Sequence, residues 1–349
     1  MLRQSAFLIA IAVALAGCTG ASTTGTSGQS KSSGMRLAMV TDVGGLGDKS
    51  FNDSAHRGLV EAGAKFGAQI TVLQSHAFTD YEPNLSVLAQ QHNDLIVAVG
   101  FLMHDAVDDV APRYPDAHFA IIDSVVDQPN VVSVTFKEEE SSFLAGVAAA
   151  LASKKHVVGF LGGIESPLIT KFLAGYEAGV ESADPHAKVL VKYTGSFDDV
   201  ATGKEIATLL FDQGADVIYL AAGKCGLGAI DEVKTLPAGD FVIGVDSDQD
   251  ALAPGKVLTS AVKGVDGAVL MLASDIHGGL LPHGHIVLGL KEGGVGITAM
   301  PYTKSALPAG GAQEIAAYRK AITAGMHVPS TMAELQAFRP VKLPASTSH

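Results

Sequence analysis

Charged residues directly follow several apolar runs of this sequence, at places where a buried strand would end. Asp42, Asp123 and Asp246 each come after such a run, and Lys263 follows another. Carboxylates accept hydrogen bonds and an ammonium donates them, so such a set can bind the polar groups of a small molecule. For any one aspartate a turn or a helix cap is the commoner explanation. Charge at these positions in both halves of the chain nevertheless favours a ligand site.

A glycine-rich motif and a histidine-containing motif resemble known cofactor and metal sites but lack residues that those sites need. The stretch GGLGDKS from Gly44 has Asp48 where a phosphate loop needs glycine, and Ser50 replaces the third glycine of a dinucleotide fingerprint. His283 and His285 have no cysteine or carboxylate nearby to complete a metal site, so residues 283–285 are expected to be a surface loop.

Catalysis finds equally little support in the sequence. Cys225 has no histidine or other base at an interpretable spacing, so a buried, inert thiol is expected. We find neither a nucleophile elbow nor a cluster of metal ligands. The sequence therefore predicts a binding protein without a catalytic step, a cofactor or a metal.

The elements that must position the strand-end residues form two successive series. Their apolar runs lack in-out alternation, as expected for parallel strands covered on both faces. The first series has strands over 36–41, 69–73, 95–99, 118–122 and 131–136, and helices over 51–66 and 85–91. The second has strands over 156–161, 188–193, 217–221, 241–245 and 257–262, and helices over 168–182, 201–213 and 227–234. We expect an α/β protein of two similar lobes, with ligand bound beyond the carboxyl ends of the strands.

The composition is compatible with two hydrophobic cores and argues against nucleic acid as a partner. The chain has 349 residues, of which 47% are hydrophobic, enough for each lobe to bury its own core. Its formal charge of −12 argues against nucleic acid, because a protein that binds phosphates needs a basic surface.

The N-terminus resembles a bacterial lipoprotein signal. Arg3 is followed by an apolar stretch over 6–16, and LAGC ends it at Cys18. Those eleven residues are too few for a membrane helix, which needs about 20. Cleavage and acylation would make Cys18 the lipid-bearing first residue, the alternative being an ordinary cleaved secretory signal. Residues 19–34 are nearly all Ser, Thr and Gly, which is typical of a flexible tether.

Several motifs together carry a family resemblance. DVGGLGDKSFN from Asp42 is similar to the N-terminal signature of the basic membrane protein family, also called purine nucleoside receptor lipoproteins. Further stretches match in order: FKEEESSFLAG at 136–146, VGFLGG at 158–163, GSFD at 195–198, AG at 222–223, GVDSDQ at 244–249 and SAVK at 260–263. The resemblance covers the chain from about residue 35 to 263 and continues less distinctly beyond.

The resemblance implies a type I periplasmic-binding-protein fold whose two lobes close about a hinge on a nucleoside. It assigns three groups of contacts: Phe51 and Phe197 would stack on the base, Asp42, Asn52 and Asp123 would read its edge, and Gly223, Asp246 and Lys263 would contact the ribose. Lys224 departs from the small or hydroxylated residue expected after Gly223. We expect Asp48 and Asp198 to be caps or turn residues rather than ligand groups.

The lobes are expected to be discontinuous in sequence. The first comprises 35–136 plus 264–300 and the second 137–263 plus 301–340, with crossovers near 136–138, near Lys263 and around 299–304.

The implied function is that of a lipid-anchored solute-binding protein of an ABC importer. It would be a monomer on the extracytoplasmic face of the cell membrane, with a permease and ATPase subunits as partners. A purine nucleoside is the favoured ligand, although the sequence does not choose among nucleosides. The alternatives are a receptor for a sugar or another small polar solute, a secreted nucleoside hydrolase, and an adhesin or surface antigen.

Overall fold

The structure, a computed structural model, describes residues 34–343. The predictions for the signal segment, for Cys18 and for the tether up to residue 33 lie outside the described residues. The described chain forms two lobes, each with a six-stranded sheet flanked by helices, so the predicted α/β class is confirmed.

The first lobe is built mainly by the first third of the chain. Its elements are β1 Arg36–Thr41, α1 Phe51–Phe66, β2 Gln69–Leu73, α2 Tyr81–Gln90, β3 Leu95–Val99, α3 His104–Val110, β4 Phe119–Ile122 and β5 Val131–Phe136. Strands β3 and β4 are buried along their whole length, which explains their continuous apolar sequence. Helix α1 has the predicted bounds and ends at Gly67, whose left-handed φ of 64° suits a glycine C-cap.

The second lobe follows without a linker. Its elements are α4 Glu138–Ala152, β6 Val157–Gly162, α5 Pro167–Ala183, β7 Lys188–Tyr193, α6 Val200–Asp212, β8 Val217–Ala221, α7 Gly226–Val233, β9 Phe241–Asp246 and β10 Val257–Lys263. The chain ends with α8 Val265–His277, β11 Gly284–Leu288, β12 Val295–Ile297, α9 Gly311–Thr323 and α10 Met332–Ala337.

The last strands are shared between the two lobes. The first sheet has the order β11-β5-β4-β3-β1-β2 and is parallel throughout, whereas the second has the order β12-β10-β9-β8-β6-β7 with β12 antiparallel to β10. The sequence placed residues up to 300 in the first lobe. Because β12 already belongs to the second sheet, the third crossover lies between Leu288 and Val295, earlier than predicted.

A second correction concerns residues 283–285, for which the sequence predicted a surface loop. Gly284 and His285 instead begin β11, which pairs with β5 at the edge of the first sheet. The His285 Nε2 atom lies 2.7 Å from the Thr135 hydroxyl oxygen. An edge strand needs hydrogen bonds on one side only, so this short segment pairs although Gly284, His285 and Val287 are exposed.

Helices α4 and α5 approach each other closely because glycines line their contact. A Cβ atom on Gly175 would lie 2.3 Å from the Glu139 carbonyl oxygen, and one on Gly179 would lie 2.0 Å from the Phe143 carbonyl oxygen. Larger residues at these positions would push the helices apart. The close approach brings the first turn of α4 and the first turns of α5 to the same end of the second lobe.

Within the described residues, no helix combines the length and the apolar character needed to cross a membrane.

Candidate ligand-binding site

One cavity lies between the lobes, at the carboxyl ends of both sheets. All eight residues predicted from the sequence line it: Asp42, Phe51, Asn52, Asp123, Phe197, Gly223, Asp246 and Lys263. The structure therefore brings together residues separated by more than 200 positions. Their individual contacts with a ligand remain predictions.

Asp42 and Asn52 form a paired group on the first-lobe wall. The Asp42 Oδ1 atom accepts from the Gly44 N–H at 2.9 Å and from the Asn52 side-chain amide at 2.8 Å. The Asn52 Oδ1 atom is buried and has no hydrogen-bond donor among the described residues. Since an unpaired buried acceptor is costly, this oxygen is suited to a donor on a ligand.

Asp48 also lines the cavity, but its carboxylate is used within the protein. It accepts from the backbone N–H groups of Ser50, Asn52 and Asp53 at 2.8–3.1 Å. These bonds satisfy free N–H groups at the start of α1, as a cap does. The expected cap role of Asp48 is confirmed.

The residue after Asp198 caps the start of α6. Asp199 rather than Asp198 accepts from the Thr202 N–H, at 3.0 Å. Asp198 is a turn residue that interacts with Ser196, as expected of a cap or turn residue.

Lys263 is the centre of a second polar group. Its Nζ atom lies 2.5 Å from Asp123 Oδ2, 3.5 Å from Asp246 Oδ1 and 3.7 Å from Glu138 Oε1, and the side chain is only 4% exposed. Burial alone would lower the pKa of Lys263, but the three carboxylates outweigh burial and raise it. The ammonium therefore stays protonated and holds the acids together.

The position of Asp123 differs from the grouping that the resemblance implied. The sequence set Asp123 beside Asp42 and Asn52, whereas the structure pairs its carboxylate with Lys263. The Oδ1 atoms of Asp123 and Asp246 are both buried without a hydrogen-bond donor among the described residues. Two carboxylate oxygens beside one ammonium can bind a group with neighbouring hydroxyls.

The backbone at these two aspartates is in the left-handed region. The φ angle is 65° at Asp123 and 60° at Asp246, which is uncommon for residues other than glycine. Asp123 directly follows β4, and Asp246 is the last residue of β9. The surrounding structure holds both in this costly conformation, as is common at functional sites.

Aromatic side chains form the apolar walls. Phe51 begins α1 in the first lobe, and its ring centroid lies 4.5 Å from Lys263 Nζ. Phe197 belongs to the second lobe and meets the first-lobe residue Phe101 edge to face, with centroids 6.2 Å apart. Its ring packs where Gly163 has no side chain, since a Cβ there would lie 2.2 Å from the ring. The two predicted aromatics thus face the cavity from opposite lobes.

Three further residues at the site were given no role by the sequence. The buried Glu138 forms an ion pair with Lys171, with Oε2 and Nζ 2.9 Å apart, and Lys171 donates a hydrogen bond to the Phe136 carbonyl at 2.5 Å. Phe172 lines the cavity from α5, whose start is capped by Ser166. The acidic run in FKEEESS at the first crossover was the available signal for Glu138. No spacing rule pointed to Lys171 or Phe172.

The remaining candidate motifs are accounted for by local structure. Cys225 is fully buried, as expected, and its thiol donates to the Ser196 carbonyl. Lys224 lines the cavity, and its backbone N–H donates to the Phe197 carbonyl at 3.0 Å. Among residues 34–343, no group of three or more His, Cys, Asp or Glu side chains is arranged to hold a metal ion.

The burial of Asp42 gives a prediction about stability. Burial raises the pKa of Asp42 from an ordinary 3.8 to about 6. The protonated side chain therefore contributes fully to the free energy of unfolding below pH 3.8, and this contribution is lost as the pH rises through 6. In ligand-free protein at pH 8, Asp42→Asn should raise the free energy of unfolding by about 1–3 kcal/mol, since one pKa unit is worth about 1.4 kcal/mol. Asn can keep the two hydrogen bonds that Oδ1 accepts.

Thermal melts at pH 8 and near pH 4 check this prediction. The gain should vanish near pH 4. Asp105→Asn should change the free energy of unfolding by less than about 0.5 kcal/mol at either pH, because the Asp105 side chain is fully exposed and its ion pair with His104 lies on the surface. An Asp42→Asn variant that is less stable than wild type at pH 8 would show that the charged form is the one the fold favours.

Comparisons with known proteins agree on one family. Residues 35–331 match the family model described as ABC transporter substrate-binding protein PnrA-like. The ABC transporter nucleoside-binding protein BmpA of Lactococcus lactis is 41% identical over 84% of this chain and 90% of that protein. A CD4+ T-cell-stimulating antigen of Listeria innocua is 38% identical over 83% of this chain and 88% of that protein.

Solved structures agree with the fold. An ABC transporter solute-binding protein from Aeropyrum pernix superimposes with a TM-score of 0.80 at 28% identity, covering 87% of this chain and 96% of that one. The predicted two-lobed fold of periplasmic binding proteins is confirmed.

Proposed function

Because the chain belongs to the PnrA-like family of ABC transporter substrate-binding proteins, we propose that it binds a nucleoside between its lobes and delivers it unchanged to a membrane permease. The similarity to the nucleoside-binding protein of Lactococcus lactis supports a nucleoside as the ligand. The observation that carries the proposal is the presence of two polar groups in one cavity that aromatic side chains also line. Asp42 with Asn52 forms one, and Lys263 with Asp123 and Asp246 forms the other.

Each part of a nucleoside has a matching part of the site. A flat base suits the aromatic walls of Phe51 and Phe197, because every base has a face that stacks on an aromatic ring. The buried Asn52 Oδ1 atom, which has no hydrogen-bond donor among the described residues, can accept from an N–H on the edge of that base. The two unpaired carboxylate oxygens beside Lys263 suit the hydroxyls of ribose. We favour a purine nucleoside because the motifs resemble those of purine nucleoside receptors.

A receptor for a sugar alone is the second candidate, since the Lys263 group would bind the hydroxyls of a hexose equally well. The aromatic walls and the Asn52 acceptor favour a ligand that also has a flat, N–H-bearing part. The two candidates are separated by incubating the protein with an equimolar mixture of nucleosides, free bases, ribose and hexoses, followed by native mass spectrometry. We expect the retained mass to be that of an intact nucleoside. Retention of a hexose would favour the sugar receptor.

A mixture of nucleosides alone tests the proposal that the protein has no catalytic step. Nucleosides should be recovered intact after long incubation, in amounts that match a control without protein. Release of free base and ribose over many turnovers would identify a nucleoside hydrolase instead.

We further propose that the mature protein is a monomer held on the extracytoplasmic face of the cell membrane through Cys18, with a permease and ATPase subunits as its partners. The support is the sequence LAGC after an apolar segment and the Ser/Thr/Gly-rich stretch that follows it. More than one acyl chain on Cys18 would satisfy the need for two anchoring signals.

Cys18→Ala should abolish this anchor. The variant lacks the thiol that is acylated, so it should leave the detergent phase in which wild-type protein collects during phase partitioning of expressing cells. Cys225→Ala is the matched control and should partition like wild type, because that thiol is buried in the fold. Equal partitioning of wild type and Cys18→Ala would contradict the anchor.

A further inference from the structure

Ser50 lies in the turn before α1 of the first lobe, yet its hydroxyl contacts the second lobe. Ser50 Oγ lies 2.7 Å from Asp246 Oδ2 and 3.1 Å from the Val245 carbonyl oxygen, and the residue is fully buried. A serine hydroxyl has one hydrogen to donate. The carboxylate is the closer acceptor and the charged one, so it takes that hydrogen.

This bond decides which oxygen of Asp246 is available to a ligand. Oδ2 is occupied by Ser50, while Oδ1 faces Lys263 at 3.5 Å and has no hydrogen-bond donor among the described residues. Asp246 itself comes from β9 in the second lobe. A group on one lobe therefore orients a ligand-facing carboxylate on the other.

The same turn also joins the lobes through bonds that do not touch Asp246. Ser247 Oγ donates to the Ser50 carbonyl at 2.9 Å, and the Gln249 side-chain amide donates to the Lys49 carbonyl at 3.1 Å. Ser50 and Lys49 belong to the first lobe, whereas Ser247 and Gln249 belong to the second. All of these bonds require the lobes to be together.

We propose that Ser50 is a positioning residue that couples lobe closure to recognition of ligand hydroxyls by Asp246. When the lobes separate, Asp246 loses its bond from Ser50, and its carboxylate is free to turn and to be hydrated. When they close, Ser50 fixes Oδ2 and presents Oδ1 to the ligand. This role rests on the proposed function, in which the ligand has a hydroxyl-bearing part and a part that stacks.

The proposed role of Ser50 predicts a selective effect on ligand affinity. Removing the Ser50 hydroxyl should weaken ligands that have the hydroxyls much more than ligands that lack them. Loss of a lobe contact alone would weaken both kinds equally, because both need the closed state.

The test is calorimetric titration of a nucleoside, its free base and ribose into ligand-free wild type, Ser50→Ala, Ser247→Ala, Asp246→Asn and the double variant Ser50→Ala/Asp246→Asn. We expect Ser50→Ala to weaken the nucleoside roughly tenfold, within the range for hydrogen bonds to charged groups, and the free base less than about threefold. Ser247→Ala should weaken both by a similar, smaller factor. In the Asp246→Asn background, Ser50→Ala should add little further loss.

The proposal would be overturned if Ser50→Ala lost the same factor of affinity for the nucleoside and for the free base. It would also be overturned if the loss of affinity in the double variant equalled the product of the losses in the two single variants. Ser50→Cys keeps the size of the side chain with a weaker donor and should show the same selective loss if the alanine variant packs poorly. The wild-type arm tests the proposed function separately. If wild type prefers ribose to the nucleoside, that function fails, and Ser50→Ala must then weaken ribose roughly tenfold for the coupling to survive.

Discussion

Replacing Lys263 with methionine is expected to lower the free energy of unfolding by about 3–5 kcal/mol and to weaken nucleoside binding roughly 100-fold or more. Lys263 Nζ lies within 4 Å of carboxylate oxygens of Asp123, Asp246 and Glu138, all of them buried. Methionine has a similar size but no charge. The variant therefore leaves three acids together without their shared cation.

The loss of stability should depend on pH. Without the ammonium, burial and mutual repulsion favour the protonated form of the carboxylates, so the variant should be least stable where the unfolded chain is fully ionised. Denaturant unfolding at pH 8 and pH 5 measures this, and the deficit should be larger at pH 8. Lys234→Met is the matched control, since Lys234 pairs with Asp231 on the exposed surface, and it should change stability by less than about 0.5 kcal/mol. A Lys263→Met variant as stable as this control would show that the cluster is not held by its lysine.

Phe197→Ala should weaken every nucleoside and every free base by a similar factor of roughly five to 150, because stacking on an aromatic ring is worth about 1–3 kcal/mol per base. Phe197 reaches the cavity from the second lobe and is supported edge-on by Phe101 of the first. Its loss should therefore weaken a ligand that the lobes enclose together. Base identity should matter little, since stacking does not read the edge of a base.

Calorimetry with several nucleosides checks this result. Phe78→Ala removes a phenylalanine that is 60% exposed and does not line the cavity, so its affinities should match those of wild type. Unchanged binding in Phe197→Ala would require the aromatic-wall interpretation to be abandoned. Thermal melts of both variants verify that the fold is intact.

Much of the fold could be predicted because parallel strands and long helices leave strong patterns. Helix α1 has the predicted bounds, and the strands of both sheets up to β10 lie within a residue of their predicted positions. The edge strand β11 and the three-residue β12 were missed because they are short and lie among glycines, and because β11 also carries exposed residues. Their pairing is decided by the neighbouring strand rather than by their own sequence, which is why the third crossover was placed too late.

The sequence predicted which residues line the site but not how they contact one another. Strand-end position and motif resemblance identified residues that line one cavity, including the distant pair Asp42 and Lys263. They could not show that Asp123 turns toward Lys263 rather than toward Asn52, because that depends on the angle between the lobes. Lys171 was missed for a similar reason, since its partner Glu138 lies on a different helix.

The most direct test of the central claim is calorimetric titration of ligand-free wild-type protein with a purine nucleoside, its free base, ribose and a hexose, all under one condition. The two polar groups and the aromatic walls predict that the nucleoside binds tightest, and at least tenfold more tightly than the free base or ribose, because only the nucleoside engages both polar groups. A hexose that binds more tightly than the nucleoside would contradict the account.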